Sequence, residues 1–229
     1  RYVGPAWRHF QPTSVTVIHR TPTVIKNYTV INVVKHTTVY RPAPSPPVRD
    51  DDWHCKKYPD SDECQGLIER IHAGRRPSGV LGPYPDPEFR TSESCDLSRS
   101  DPLVQQVEAK LGALMGIDPR RGETIQGQRY DVGQQFKPHH DFFWTDQPYW
   151  EEQRRNGGQR TWTAMMFLNE PERGGQTFFE RAGVRITPHT GNLLAWNNMD
   201  ANGQPNQATL HQGLPVEGGV KYIITKWYR

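Results

Sequence analysis

Punctuation is the strongest constraint this sequence places on its own fold. Its 229 residues include 20 Gly and 20 Pro, and apolar runs last only a few residues before a break. A membrane-crossing helix needs about 20 consecutive apolar residues, so none is expected. From about residue 122 onward, short aromatic and β-branched runs alternate with Gly, Pro and Asn turns, at 161–168, 176–180, 192–197 and 220–228. That pattern predicts a mainly antiparallel β-structure. Two helices are predicted ahead of it. Asp60, Ser61 and Asp62 form a helix-start signal before apolar residues at helical spacing up to Ile71. Asp101 and Pro102 open the second, with Leu103, Val104, Val107, Leu111 and Leu114 on one stripe. The expected class is α+β, mainly β with supporting helices. Hydrophobic residues reach only 34%, but seven Trp and 10% aromatics supply a core of large side chains, which argues against wholesale disorder.

Charge divides the chain. Residues 1–49 carry Arg1, Arg8, Arg20, Lys26, Lys35, Arg41 and Arg49 and no acid, although the net charge is only +3. The remainder is therefore mildly acidic, and a basic arm (1–40) precedes it. Within the arm, Thr-Val-Ile recurs at 16–18, 23–25 and 29–31. A β-branched repeat of this kind suits strands that add to a sheet edge or pair with other copies, so a homo-oligomer or filament built through residues 1–40 is one expectation. Basic residues there are sparse and aromatic residues few, which argues against nucleic acid as the partner. Residues 41–49 are proline-rich and read as a polyproline II linker, which leaves 50–229 as the main domain.

Three Cys exclude a disulfide scaffold and a four-Cys zinc site within one chain. Cys55 and Cys64 are candidates for a disulfide, and a secreted or extracytoplasmic location follows if they are bridged. Cys95 is expected to stay reduced. The compartment is otherwise not legible.

The chemistry concentrates in three segments. In Tyr130 to Asp141, a strand places residues two apart on one face, so His139 and Asp141 point together and His140 points away. One imidazole and one carboxylate are two thirds of a facial metal triad, with His211 the candidate for the third ligand. Alone, His-x-Asp is weak: an exposed polar pair at a turn, and an ordinary histidine at 211, explain it equally. In the last strand Lys221 shares a face with Ile223, Thr225 and Trp227, where a lysine is costly without an anion.

The motifs in order are more specific. They are Tyr58 to Cys64, Arg90-Thr91-Ser92, Tyr130-x-x-Gly133-x-x-Phe136-x-x-His139-x-Asp141 and Gly157 to Arg160. Met166 to Asn169, Gly174 to Phe178, Gly191 to Trp196 and His211-x-Gly213-x-Pro215-Val216 follow, with Lys221 and Trp227 after them. Residues from about 57 to 229 thereby resemble the prolyl 4-hydroxylase family of Fe(II)/2-oxoglutarate dioxygenases. The resemblance implies a double-stranded β-helix (jelly roll) and hydroxylation of prolyl residues in a peptide or protein, with release of succinate and CO2. It implies His139, Asp141 and His211 as Fe(II) ligands, with 2-oxoglutarate and O2 completing the chemistry and ascorbate as a further requirement. It implies Lys221, Tyr130 and Thr163 as the group holding the far carboxylate of 2-oxoglutarate. Arg90, Ser92, Glu123, Arg160 and Trp227 would line the peptide groove, and the loop 77–88 would form a lid over it. One departure is visible: Phe136 stands where many members carry Tyr. Three rival expectations are a dioxygenase-fold subunit of a larger assembly with catalysis secondary, a hydroxylase of a free amino acid, and action on a nucleobase.

Overall fold

The computed structural model describes residues 61–82, 86–200 and 202–229 (Ser61 by its backbone), together with the backbone of 23–25 and 28–31. The linker, the boundary near residue 50 and the Cys55–Cys64 pairing lie outside the described residues. Among those described, no helix is long and apolar enough to cross a membrane.

In chain order the elements begin with β1 (Thr23–Ile25), β2 (Tyr28–Ile31), helix α1 (Ser61–Gly74), β3 (Arg76–Pro77), β4 (Glu93–Asp96) and helix α2 (Pro102–Met115). Then come β5 (Gln126–Tyr130), β6 (Phe136–His139), helix α3 (Trp150–Arg155), β7 (Trp162–Phe167) and β8 (Arg173–Gly174). The last are β9 (Thr177–Phe179), β10 (Val184–Ile186), β11 (Leu193–Asn197), β12 (His211–Gly213), β13 (Val216–Gly218) and β14 (Lys221–Tyr228). The major sheet runs β1-β2-β11-β7-β14-β5-β4-β3, the minor sheet β10-β9-β12-β6, and β13 pairs with β8.

Both faces of the major sheet are covered, which is why β14 is buried along its whole length. One face meets the helices. Leu67 and Ile71 of α1 and Val104, Val107 and Leu111 of α2 pack with Ala164, Met166, Ile224 and Tyr228. The opposite face meets the minor sheet, where Tyr130, Met165, Phe167, Trp196 and Ile223 share a core with Phe179 and Val184. Period-two alternation along β7 and β14 assigns odd residues to the sheet–sheet core and even residues to the helix side. This is the expected double-stranded β-helix.

Helix α2 starts where the sequence predicts. Asp101 accepts from Leu103 N at 2.8 Å and Val104 N at 3.4 Å, Pro102 follows it, and Gly116 closes the helix at φ 68°. Asp101 also takes the Arg70 guanidinium at 2.6 Å, tying the start of α2 to α1. In the arm, Thr-Val-Ile at 23–25 is β1 and that at 29–31 lies in β2. β2 runs parallel to β11, so this part of the arm extends the chain's own major sheet.

Candidate active site

The minor sheet brings two distant histidines together. His139 ends β6, His211 opens β12, and the two are cross-strand partners. Asp141 lies two residues further on. Ligand atoms of the three all fall within 4.8 Å of one another. His139 Nε2 stands 3.9 Å from Asp141 Oδ1, and His211 Nε2 stands 3.9 Å from Oδ2. These separations are too long for hydrogen bonds and suit donors converging on one ion. His140 faces the other way, its Nε2 3.4 Å from the Gln207 carbonyl.

A second layer fixes the donors. His139 Nδ1 lies 2.8 Å from Lys137 O, and His211 Nδ1 lies 2.9 Å from Thr209 O. A carbonyl only accepts, so each Nδ1 carries the proton and each Nε2 presents its lone pair. Phe136 stacks on His139 with centroids 3.6 Å apart, while Phe179 and Trp196 flank His211 at 5.3 and 4.7 Å. Burial, and then the adjacent His211, push His139 well below its ordinary 6.5, so its ring is neutral. Burial acts on Asp141 in the opposite sense. His211, His139, Arg160 and the Thr163 hydrogen bond outweigh it and hold the carboxyl below 3.8. A neutral His139, an ionised Asp141 and a His211 whose Nε2 faces the same point suit a divalent cation. The donor set therefore fits Fe(II).

Thr163 differs in place from the sequence expectation. Its hydroxyl donates to Asp141 Oδ2 at 2.7 Å and accepts from Asn198 Nδ2 at 2.9 Å. The hydroxyl proton is thus committed to the metal-binding carboxylate rather than to the surroundings of Lys221. Tyr130 does sit against Lys221: the residues are register partners, and Lys221 Nζ is 5.1 Å from the Tyr130 ring centroid. The Tyr130 hydroxyl itself donates to Gln128 Oε1 at 3.1 Å.

Strand β14 carries two buried lysines with opposite arrangements. Lys226, on the helix side, bonds to Glu108 of α2. Lys221, on the core side, is 2% exposed and forms no ion pair among the described residues. Its neighbours are the Tyr130 and Phe167 rings, the latter 5.6 Å away. Burial alone lowers it from 10.5 to about 7. Gly175, at φ 69°, lets the backbone pass close to this stem: a Cβ there would stand 3.2 Å from Lys221 Cδ. A buried ammonium with no carboxylate fits the far carboxylate of 2-oxoglutarate. Trp196 Nε1, buried and lacking a hydrogen-bond partner in the same core, adds a donor for such a ligand.

An open cavity of about 1080 Å³ reaches His139 and Asp141 from the surface. Arg90, Glu123, Arg160 and Trp227 line it, and so do Val80 and Leu81 from the 77–88 loop, of which residues 83–85 are not described. Ser92 does not line it. That side chain is 2% exposed and its hydroxyl meets Ser78 Oγ at 2.9 Å. Arg160 and Glu123 form a doubly hydrogen-bonded pair at 2.6 Å, with the Arg160 guanidinium 4.0 Å above the Trp227 ring.

Comparison with known proteins agrees with this geometry. Residues 125–229 match the 2OG-Fe(II) oxygenase superfamily model. The chain is 30% identical over 192 residues to probable prolyl 4-hydroxylase 8 of Arabidopsis thaliana, covering 73% of this chain and 64% of that protein. It is 33% identical over 142 residues to prolyl 4-hydroxylase subunit alpha-1 of Rattus norvegicus, covering 61% and 26%. A solved viral collagen prolyl hydroxylase from Paramecium bursaria Chlorella virus-1, in complex with 2OG, aligns with TM-score 0.57 at 25% identity, over 73% of this chain and 90% of that one. This chain belongs to the prolyl 4-hydroxylase family of 2OG-Fe(II) oxygenases. It spans just under two thirds of the plant relative and about a quarter of the rat subunit.

Two members of this site escaped the sequence. Asn198 is fully buried behind Thr163. It shares a face with Trp196 and Leu194 by strand alternation, which is the signal that could have found it. Arg229 donates to Glu123 at 3.0 Å beside Arg160 and holds the Gly158 carbonyl at 2.9 Å. No motif or periodicity marks that position.

Proposed function

We propose that this chain hydroxylates prolyl residues in a peptide or protein, dependent on Fe(II) and 2-oxoglutarate, with ascorbate supporting sustained turnover. One juxtaposition carries the proposal: a converging His/His/carboxylate cluster and a buried lysine lacking a carboxylate, on strands of one β-helix, under an open groove. The named activities of the relatives support it. When bound, iron and 2-oxoglutarate supply the oxidation, because splitting the cosubstrate to succinate and CO2 leaves one oxygen of O2 for a C–H bond. His139, Asp141 and His211 would hold the metal. Thr163 and Asn198 would orient the carboxylate ligand, and Lys221 would neutralise the cosubstrate's remote charge. Phe136, Phe142 and Trp227 supply apolar walls against which a pyrrolidine ring can be placed and from which water is excluded.

An open groove extending well beyond the metal ligands favours a peptide over a free amino acid, for which a small closed pocket would suffice. Mass spectrometry after incubation with Fe(II), 2-oxoglutarate and ascorbate tests this. A proline-rich peptide should gain one oxygen while free L-proline stays unchanged. Modification of the free amino acid alone would replace the proposal with the free-amino-acid alternative.

A further inference from the structure

The groove concentrates positive charge that the rest of the body does not have. Outside the first 49 residues the chain holds 21 basic and 25 acidic side chains, since seven of its 28 basic and none of its 25 acidic residues lie in that stretch. Yet guanidiniums dominate the cavity lining.

Six line it, and Arg120 is held by Asp118; three others form no ion pair among the described residues. Arg90 donates to the Gly79 carbonyl, Ser94 Oγ and Gln126 Oε1, at 2.8, 3.2 and 2.7 Å, all neutral acceptors. Its Nε is buried without a hydrogen-bond partner. Arg99 donates to Thr124 Oγ1 and the Gly122 carbonyl, again neutral. Arg121 is exposed and, among the described residues, makes no side-chain ion pair. Arg160 and Arg229 share the single carboxylate of Glu123. Asp96, the other surface acid on the lining, is already paired with Arg76. Arg90, Arg99 and Arg121 therefore have no ion-pair partner among the described residues, and Arg160 and Arg229 have one carboxylate between them, along one groove. Their neutral hydrogen bonds hold Arg90 and Arg99 in place, so they offer a pre-oriented positive surface and not a set of mobile side chains.

We infer that the peptide bound here is acidic, with Asp or Glu side chains flanking the target proline and facing Arg99 and Arg121. This rests on the proposed prolyl-peptide activity and narrows its substrate class. The chain's own segment 1–49, with seven basic residues and no acid, is by the same charge logic a poor occupant.

The test is fluorescence anisotropy on the full chain with four labelled dodecapeptides of otherwise identical sequence. Three keep a central proline flanked by two Glu, two Gln or two Lys. The fourth has the Glu pair and alanine for the proline. At low salt the Glu peptide should bind at least fivefold more tightly than the Gln peptide, with the Lys peptide weakest. The advantage should shrink as salt rises, because exposed charge pairs are screened. Arg121→Glu, at an exposed side chain with no ion pair among the described residues, should bring the Glu and Gln peptides to parity. Arg99→Glu is the second variant, with thermal melting as the check on folding. Glu and Gln peptides binding within twofold at low salt would overturn the inference, even if the proline is required. Equal binding of the two Glu peptides would sink the proline reading and leave the charge inference standing. Binding of none of the four would overturn both.

Discussion

Replacing Lys221 with Met should make the unliganded protein more stable and useless to its cosubstrate. The ammonium is 2% exposed, faces aromatic rings and has no carboxylate, and burial takes it from 10.5 to about 7. At ~1.36 kcal/mol for each tenfold loss in proton affinity, holding this lysine inside costs ~5 kcal/mol at low pH. The sign with pH follows from proton counting. Between about pH 7 and 10.5 the unfolded chain binds more protons at this lysine than the folded one, so stability rises with pH across that window and is flat below it. Methionine matches the stem in length and removes the charge. Urea unfolding without 2-oxoglutarate should find Lys221→Met more stable at pH 7 by ~4 kcal/mol. By pH 9 the gap should narrow to ~2 kcal/mol, since the wild-type lysine is by then neutral in the fold. Adding 2-oxoglutarate should stabilise the wild type and leave the variant unmoved. The reasoning fails if the gap is the same at both pH values, or if the variant is the less stable protein at pH 7.

Three further outcomes are expected. His139→Ala, Asp141→Ala and His211→Ala should each abolish turnover and tight Fe(II) binding, whereas His140→Ala should retain both; the reverse order, read by metal titration and succinate release, would put the strand one residue out of phase. Thr163→Val should weaken metal binding ~10–100-fold with the 2-oxoglutarate KM little changed, as expected of a group that orients a ligand; a raised cosubstrate KM with intact metal affinity would return Thr163 to the far carboxylate. β1 is the outermost strand of the major sheet, with its outer edge unpaired among the described residues, so removing residues 1–49 should shift any oligomer toward monomer in size-exclusion chromatography; identical elution of both forms would exclude assembly through the arm.

How much of this could be read from the residues depends on how local each feature is. Period two along β14 was enough to put Lys221 on the Ile223 and Trp227 face, and period two in Pro138 to Asp141 was enough to turn His139 and Asp141 together. Asp101, Pro102 and the apolar stripe located α2 for the same reason, since caps and stripes are written within a few residues. His211 was a bare candidate for the third ligand until the resemblance specified it, because nothing near it in sequence says that β12 will pair with β6. Thr163 shows the limit most clearly. Alternation predicts an inward hydroxyl, but whether it meets Asp141 or Lys221 depends on packing between strands far apart in the chain. Ser92 fails likewise: its neighbour in the motif, Arg90, lines the groove, while Ser92 is buried against Ser78. The sharing of Glu123 by Arg160 and Arg229 joins three separate segments and leaves no local trace.

The central claim is that this metal and cosubstrate site inserts an oxygen from O2 into a prolyl residue. Turnover of a proline-rich peptide under isotopically labelled dioxygen, with Fe(II) and 2-oxoglutarate present, addresses it directly by mass spectrometry of both products. The account predicts labelled oxygen in a hydroxylated prolyl residue and in succinate, the two products forming together and neither forming with Asp141→Ala. Unmodified peptide, or a hydroxyl oxygen drawn entirely from water while succinate accumulates, would contradict it.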